Sequence, residues 1–135
     1  MKQARIFVVD DEPVIASTLQ LILSGHGFAV TSFTDPVAAL QAIQAHAPDF
    51  LIADVVMPEI SGIELAIVMR EHYPSCRVLL FSGHLSTFDM LETARDRGHD
   101  FEVLSKPVHP IEMLERVRMG LALDPRAQAP SAGLQ

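Results

Sequence analysis

A chain of 135 residues, 49% hydrophobic and 20% charged, has the length and balance of one globular domain with a core of its own. Its net charge of −7 lacks the basic footprint of a sequence-independent nucleic-acid binder, and its single cysteine rules out an internal disulfide framework. No apolar run approaches the ~18 residues of a membrane span, and the N-terminal MKQARIFVVDDE has too short an apolar stretch for a signal peptide. These features suit a reducing cytoplasm, with Cys76 as a small buried hydrophobe at a strand entry.

Short apolar runs alternate with longer helix-periodic stretches, which is the pattern of βαβ units and a parallel sheet. Strands are predicted at 5–9, 28–33, 50–53, 77–81 and 101–105, and helices at 13–24, 36–46, 62–72, 86–97 and 109–122. The first helix carries Ile15, Leu19, Ile22 and Leu23 on one face and stops at Gly25 and Gly27. The second is announced by Thr34-Asp35-Pro36, a cap residue followed by proline at the first helical position, and Pro48 forbids its continuation. The third begins after Pro58 and Ser61-Gly62 and ends before Pro74; its Ile63, Leu65, Ala66, Ile67, Val68 and Met69 predict a wide buried face. Met90, Leu91 and Ala94 of the fourth read as core. The fifth has Pro110 near its start, then Ile111, Leu114, Val117 and Leu121 at helical spacing.

The strands are not equivalent. IFVV, FLIA and VLLF are continuous apolar runs, as suits strands covered on both faces. FAVTSF and FEVLS mix polar and apolar residues, as half-exposed edge strands do. Strands two and five at the edges fit a doubly wound, flavodoxin-like (βα)5 sandwich of order 2-1-3-4-5, whose ligands bind at the carboxyl ends of strands one and three. From about Asp124 the composition shifts to DPRAQAPSAGLQ. Residues 1–123 therefore read as the domain and 124–135 as a flexible tail or linker stub.

Each strand but the second ends on a residue suited to phosphoryl chemistry: Asp10-Asp11 after the first, Asp54 after the third, Ser82 after the fourth, Lys106-Pro107 after the fifth. Taken singly, each has a plain alternative. Asp10-Asp11-Glu12 before Pro13 suits a helix cap, Asp54 and Ser82 suit turns, and Lys106 suits a solvated surface charge. Together, at adjoining strand ends, they make one crevice. Two carboxylates about 4 Å apart repel by ~4 kcal/mol at an effective dielectric of 20, so clustered acids call for a counter-charge. A hard divalent cation such as Mg²⁺ suits an oxygen-only set that leaves places for water and phosphate oxygens. A carboxylate held there can attack phosphorus, with Lys106 neutralising and Ser82 donating to the phosphoryl group. The histidines at 26, 46, 72, 84, 99 and 109 offer no convincing zinc spacing, and His109 reads as a surface residue.

These residues resemble the receiver domain of bacterial two-component response regulators, of the chemotaxis-regulator type, over about residues 4–122. The motifs are Asp10-Asp11, Asp54 through Met57-Pro58 with Gly62, Ser82-Gly83, and Lys106-Pro107. The resemblance implies that Asp54 accepts a phosphoryl group from a histidine of a sensor kinase or of a histidine phosphotransfer protein. It implies Mg²⁺ held by Asp11, Asp54 and the Val56 backbone carbonyl, with Asp10 acting through a bound water. Lys106 would pair with the phosphoryl group, Ser82 would swing toward it, and the Lys106–Pro107 bond would be cis. Two departures stand out. Val103 occupies a position where the family often has an aromatic, the nearby ring being Phe101. The segment Gly98-His99-Asp100-Phe101-Glu102 is one residue longer than the common form. Apolar Val56 and the neighbouring His84 predict slow to moderate self-dephosphorylation.

The function expected from this reading is a single-domain response regulator, a switchable binding module with at most weak autophosphatase activity. Its output would run through another protein, a phosphorelay or a phosphorylation-dependent homodimer. The same module cut from a larger regulator or hybrid kinase is the alternative. A phosphatase of the haloacid-dehalogenase type needs an Asp-x-Asp pair after strand one, whereas here the acids are adjacent and Pro13 and Val14 follow Glu12.

Overall fold

The computed structural model describes residues 3–83, 87–107 and 109–122. Strands and helices alternate: β1 Arg5–Val9, α1 Pro13–Ser24, β2 Ala29–Phe33, α2 Pro36–Ala45, β3 Phe50–Asp54, α3 Gly62–His72, β4 Arg77–Ser82, α4 Thr87–Asp96, β5 Val103–Ser105 and α5 Pro110–Ala122. The strands form one parallel sheet of order β2-β1-β3-β4-β5, as the contrast between continuous and mixed apolar runs predicts. His84 and residues 124–135, on which two sequence-based expectations fall, lie outside the described residues.

The apolar runs fill two cores because side chains alternate across a strand. Phe7, Val9, Leu51, Ala53 and Leu80 point to one side, where Ala39, Ile43, Leu65, Ala66 and Met69 of α2 and α3 cover them. Ile6, Val8, Phe50, Ile52, Leu79 and Phe81 point to the other, against Leu19 and Leu23 of α1 and Met113, Leu114 and Val117 of α5. Each fully buried Leu, Ile or Phe contributes about 1.5–3 kcal/mol, so the three central strands anchor the frame. The wide apolar face of α3 is accounted for by burial of Ile63, Leu65, Ala66 and Met69, with Ile67 and Val68 half-buried.

Local signals set the ends. Asp35 caps α2 by accepting from the Val37 N–H at 2.9 Å, with Pro36 at the first helical position. Ser61 and Glu64 form a reciprocal capping box at α3, with bonds of 3.1 and 3.0 Å. Of the two glycines after α1, Gly25 stays helical and Gly27, at φ +94°, makes the left-handed turn. The fifth strand is shorter than predicted. Pairing starts when the Glu102 carbonyl accepts from the Leu80 N–H, while Phe101 leaves the ladder for the α3-side core. Its ring lies parallel to that of His99, centroids 6.0 Å apart, with the Arg70 guanidinium 4.7 Å from its centroid. Among the described residues, no helix is long and apolar enough to cross a membrane.

Candidate functional site

Parallel register brings the strand ends together. Val9 pairs with Ala53 and Asp54 with Phe81, so Asp10, Asp54 and Ser82 project from adjacent strands at one edge of the sheet. Ser82 pairs with Ser105, which delivers Lys106 to the same edge. The Lys106 N–H donates to the Ser82 carbonyl at 2.9 Å, and the Lys106–Pro107 bond is cis.

The carboxylates of Asp10, Asp11 and Asp54 each place an oxygen within 4.8 Å of the others. Asp10 and Asp54 are buried, and Asp11 is exposed. The Lys106 ammonium stands 3.2 Å from Asp54 Oδ2, 3.4 Å from Asp10 Oδ2 and 3.4 Å from Glu12 Oε1. It also lies 5.1 Å from the centroid of the Phe81 ring. Glu12 is the contributor that sequence reasoning missed. It stands at the N-cap of α1, but its side chain makes no cap bond and turns to Lys106 instead. The only signal was its place as third acid in the run.

Burial raises the Asp10 carboxyl above its ordinary range, and the nearby Asp54 charge adds to this. The Glu12 N–H, which donates to Asp10 Oδ1 at 2.8 Å, and the Lys106 ammonium pull the other way without cancelling it. Burial also opposes the charge on Lys106, but attraction to Asp10 and Asp54 wins and raises its pKa. Three acids thus face one ammonium, and Asp11 stands with them as a fourth in the cluster. The donor set is all oxygen, partly open and short of positive charge, which fits a hard divalent cation that keeps several waters.

The loop after Asp54 is held tightly. The Val55 N–H donates to the Phe81 carbonyl at 3.0 Å, and the Gly62 N–H to the Val55 carbonyl at 2.9 Å. A Cβ on Gly62 would stand 2.2 Å from the Asp54 carbonyl oxygen, so only glycine lets α3 start this close beneath the acid. Beside the site lies a groove of about 460 Å³, lined by Val14, Ile15, Thr18, Phe81, Lys106 and Pro107 among others. Helix α1, which forms one wall, carries no charged residue, and its Val14 and Leu21 are each 75% exposed.

A doubly wound parallel sheet with an acid and lysine cluster at its switch point defines an α/β module of the flavodoxin-like class, with the cluster where such folds bind ligands. The response regulator receiver domain model matches residues 6–118, and the chain belongs to that family. It is 31% identical over 117 residues to the DNA-binding response regulator MtrA of Mycolicibacterium smegmatis, covering 87% of this chain and 50% of that protein. Its fold matches the signal receiver domain of an HD domain-containing protein from Pseudomonas fluorescens at TM-score 0.80 and 28% identity, over 89% of this chain and 95% of that one. It matches chemotaxis protein CheY4 of Vibrio cholerae at TM-score 0.74 and 26% identity, over 87% and 98%. The chain spans about half the length of the curated relatives it matches. The chain is thus a signalling module of a two-component response regulator.

Proposed function

We propose that this domain takes a phosphoryl group onto Asp54 from a phosphorylated histidine and uses it to change the surface it shows to a partner. The observation that carries the reading is the buried Asp54 carboxylate, 3.2 Å from the Lys106 ammonium and clustered with Asp10 and Asp11. An Asp54 oxygen attacks phosphorus, the P–N bond of the donor imidazole breaks, and its electron pair leaves on the ring nitrogen, which takes a proton from solvent. The acyl phosphate adds about −1.5 to −2 of charge, and Lys106 offsets part of it. Ser82, at the end of the strand beside Asp54, donates a hydrogen bond to a phosphoryl oxygen. Mg²⁺ would be held by Asp11, Asp54 and the Val56 carbonyl, with Asp10 acting through water. Bound there, it would neutralise charge on the acids and on the incoming group.

A donor imidazole that reaches buried Asp54 has to bring its protein over the adjoining surface. The uncharged α1 and the apolar groove along Pro107 suit the helices of a sensor histidine kinase or a histidine phosphotransfer protein. Output would run through another protein, a phosphorelay or a phosphorylation-dependent homodimer. The net charge of −7 supports a domain that does not itself grip nucleic acid, and a chain with a single cysteine agrees with a cytoplasmic setting. Apolar Val56 beside the acceptor cannot orient an attacking water, which supports slow to moderate self-dephosphorylation.

Intact-mass spectrometry after incubation with acetyl phosphate tests the reading. The expected result is a Mg²⁺-dependent gain of one phosphoryl group in wild type and none in Asp54→Asn. No gain, together with no binding of beryllofluoride, overturns it.

A further inference from the structure

The Lys106 ammonium has three N–H donors, and the structure spends them on three carboxylates: Asp10, Glu12 and Asp54. A phosphoryl oxygen arriving on Asp54 is a further acceptor, so one existing partner has to give way. The three differ in what release does to them. The side chains of Asp10 and Asp54 are 0% and 3% exposed and cannot regain water, whereas that of Glu12 is 63% exposed. A buried carboxylate that loses its counter-ion keeps the full desolvation penalty, while an exposed one simply rehydrates. Glu12 is therefore the partner that lets go. Nor is it tied in place by helix α1, since its side chain makes no cap bond there.

We propose that Glu12 is a positioning residue that holds Lys106 in the unphosphorylated domain and competes with the Asp54-bound phosphoryl group for the same ammonium. The inference rests on the receiver reading above. Glu12 thus sets a threshold: it steadies Lys106 in the unphosphorylated domain and biases the domain against the phosphorylated state. An exposed ion pair is a weak interaction, so the bias is modest, about two- to five-fold in the equilibrium. Its charge also repels an incoming phosphoryl anion, in the same direction.

Titration calorimetry with beryllofluoride in saturating Mg²⁺, on wild type, Glu12→Gln and Glu12→Asp, tests this. Mg²⁺ alone is the parallel titration. Glu12→Gln, which keeps the shape and loses the charge, is expected to bind beryllofluoride about two- to five-fold more tightly. Its Mg²⁺ affinity should stay level or fall, because an acid near the cation has gone. A structural defect would weaken both, so tighter beryllofluoride binding without tighter Mg²⁺ binding excludes a defect, and Glu12→Asp separates competition for Lys106 from charge repulsion. Glu12→Asp keeps the charge but is one methylene short of the ammonium, and should shift beryllofluoride affinity in the same direction as Glu12→Gln, by less. Beryllofluoride affinity that is unchanged or weaker in Glu12→Gln overturns the proposal, as does Glu12→Asp matching wild type. If wild type itself binds no beryllofluoride, the receiver reading fails, and the proposal falls with it for that distinguishable reason.

Discussion

The two ends of the sheet treat charge in opposite ways. At the N-terminal edge, charged groups are matched by partners the fold supplies. Asp49 Oδ2 accepts from the Arg5 backbone N–H at 2.8 Å, and the Arg5 guanidinium donates to the carbonyls of Ala47 and His46 at 2.7 and 3.3 Å. At the C-terminal edge, four acids cluster with one lysine that pairs with three of them, and two of the four are buried. Burying like charges without enough counter-charge opposes folding, so an edge that does so is shaped for something that arrives later. The matched edge holds the domain together, while the unmatched one is left short of positive charge, as the proposed cation and phosphoryl chemistry requires.

That contrast can be broken at either end. The largest effect is expected from Gly62→Ala, whose Cβ would meet the Asp54 carbonyl oxygen at 2.2 Å. Backbone has to move, at a loss of about 3 kcal/mol and roughly 10 °C in melting temperature. Because the displaced backbone is that of Asp54, the proposed acceptor, phosphorylation by acetyl phosphate should fall as well. Asp49→Ala at the opposite edge leaves the Arg5 N–H without its carboxylate and should lose about 2 kcal/mol. Here the mass gain with acetyl phosphate should be unaltered at a temperature where the variant is folded. Loss of phosphorylation in Asp49→Ala would mean the two edges are coupled.

Much of this was legible in the chain because the two periods differ so clearly. The runs IFVV, FLIA and VLLF announce central strands, and their last residues announce the site. The switch-point placement of Asp10 and Asp54 follows from strand order alone. What was not legible depends on side-chain reach. Glu12 sits where a cap residue belongs, and only the cross-sheet position of Lys106, 94 residues later, turns it toward the site. The late start of β5 was hidden likewise. Phe101 reads as a strand residue, yet its ring is taken out of the ladder by His99 and Arg70. The Ser61–Glu64 capping box, by contrast, is written locally in the chain as S-x-x-E.

The smallest expected effect has the opposite sign. Asp10 is buried and its carboxyl is raised above 3.8, chiefly by burial and also by Asp54. A group whose folded pKa is raised binds its proton more tightly in the folded state than in the unfolded one. Between 3.8 and that raised value, the folded state therefore loses stability as pH rises, and the loss persists at neutral pH. Asp10→Asn removes the penalty, so it should stabilise the domain at pH 7 by about 1 kcal/mol while impairing Mg²⁺-dependent phosphorylation. Lys106 titrates at the far end of the scale. Its pKa lies above 10.5 because attraction to Asp10 and Asp54 outweighs burial, so its contribution is complete below 10.5 and is lost as pH rises through the raised value. Melting curves of wild type and Asp10→Asn from pH 4 to pH 8 check the first point. If the variant melts lower than wild type at pH 7, Asp10 belongs with the matched charges of the opposite edge, and the division between the two ends fails at its most buried acid.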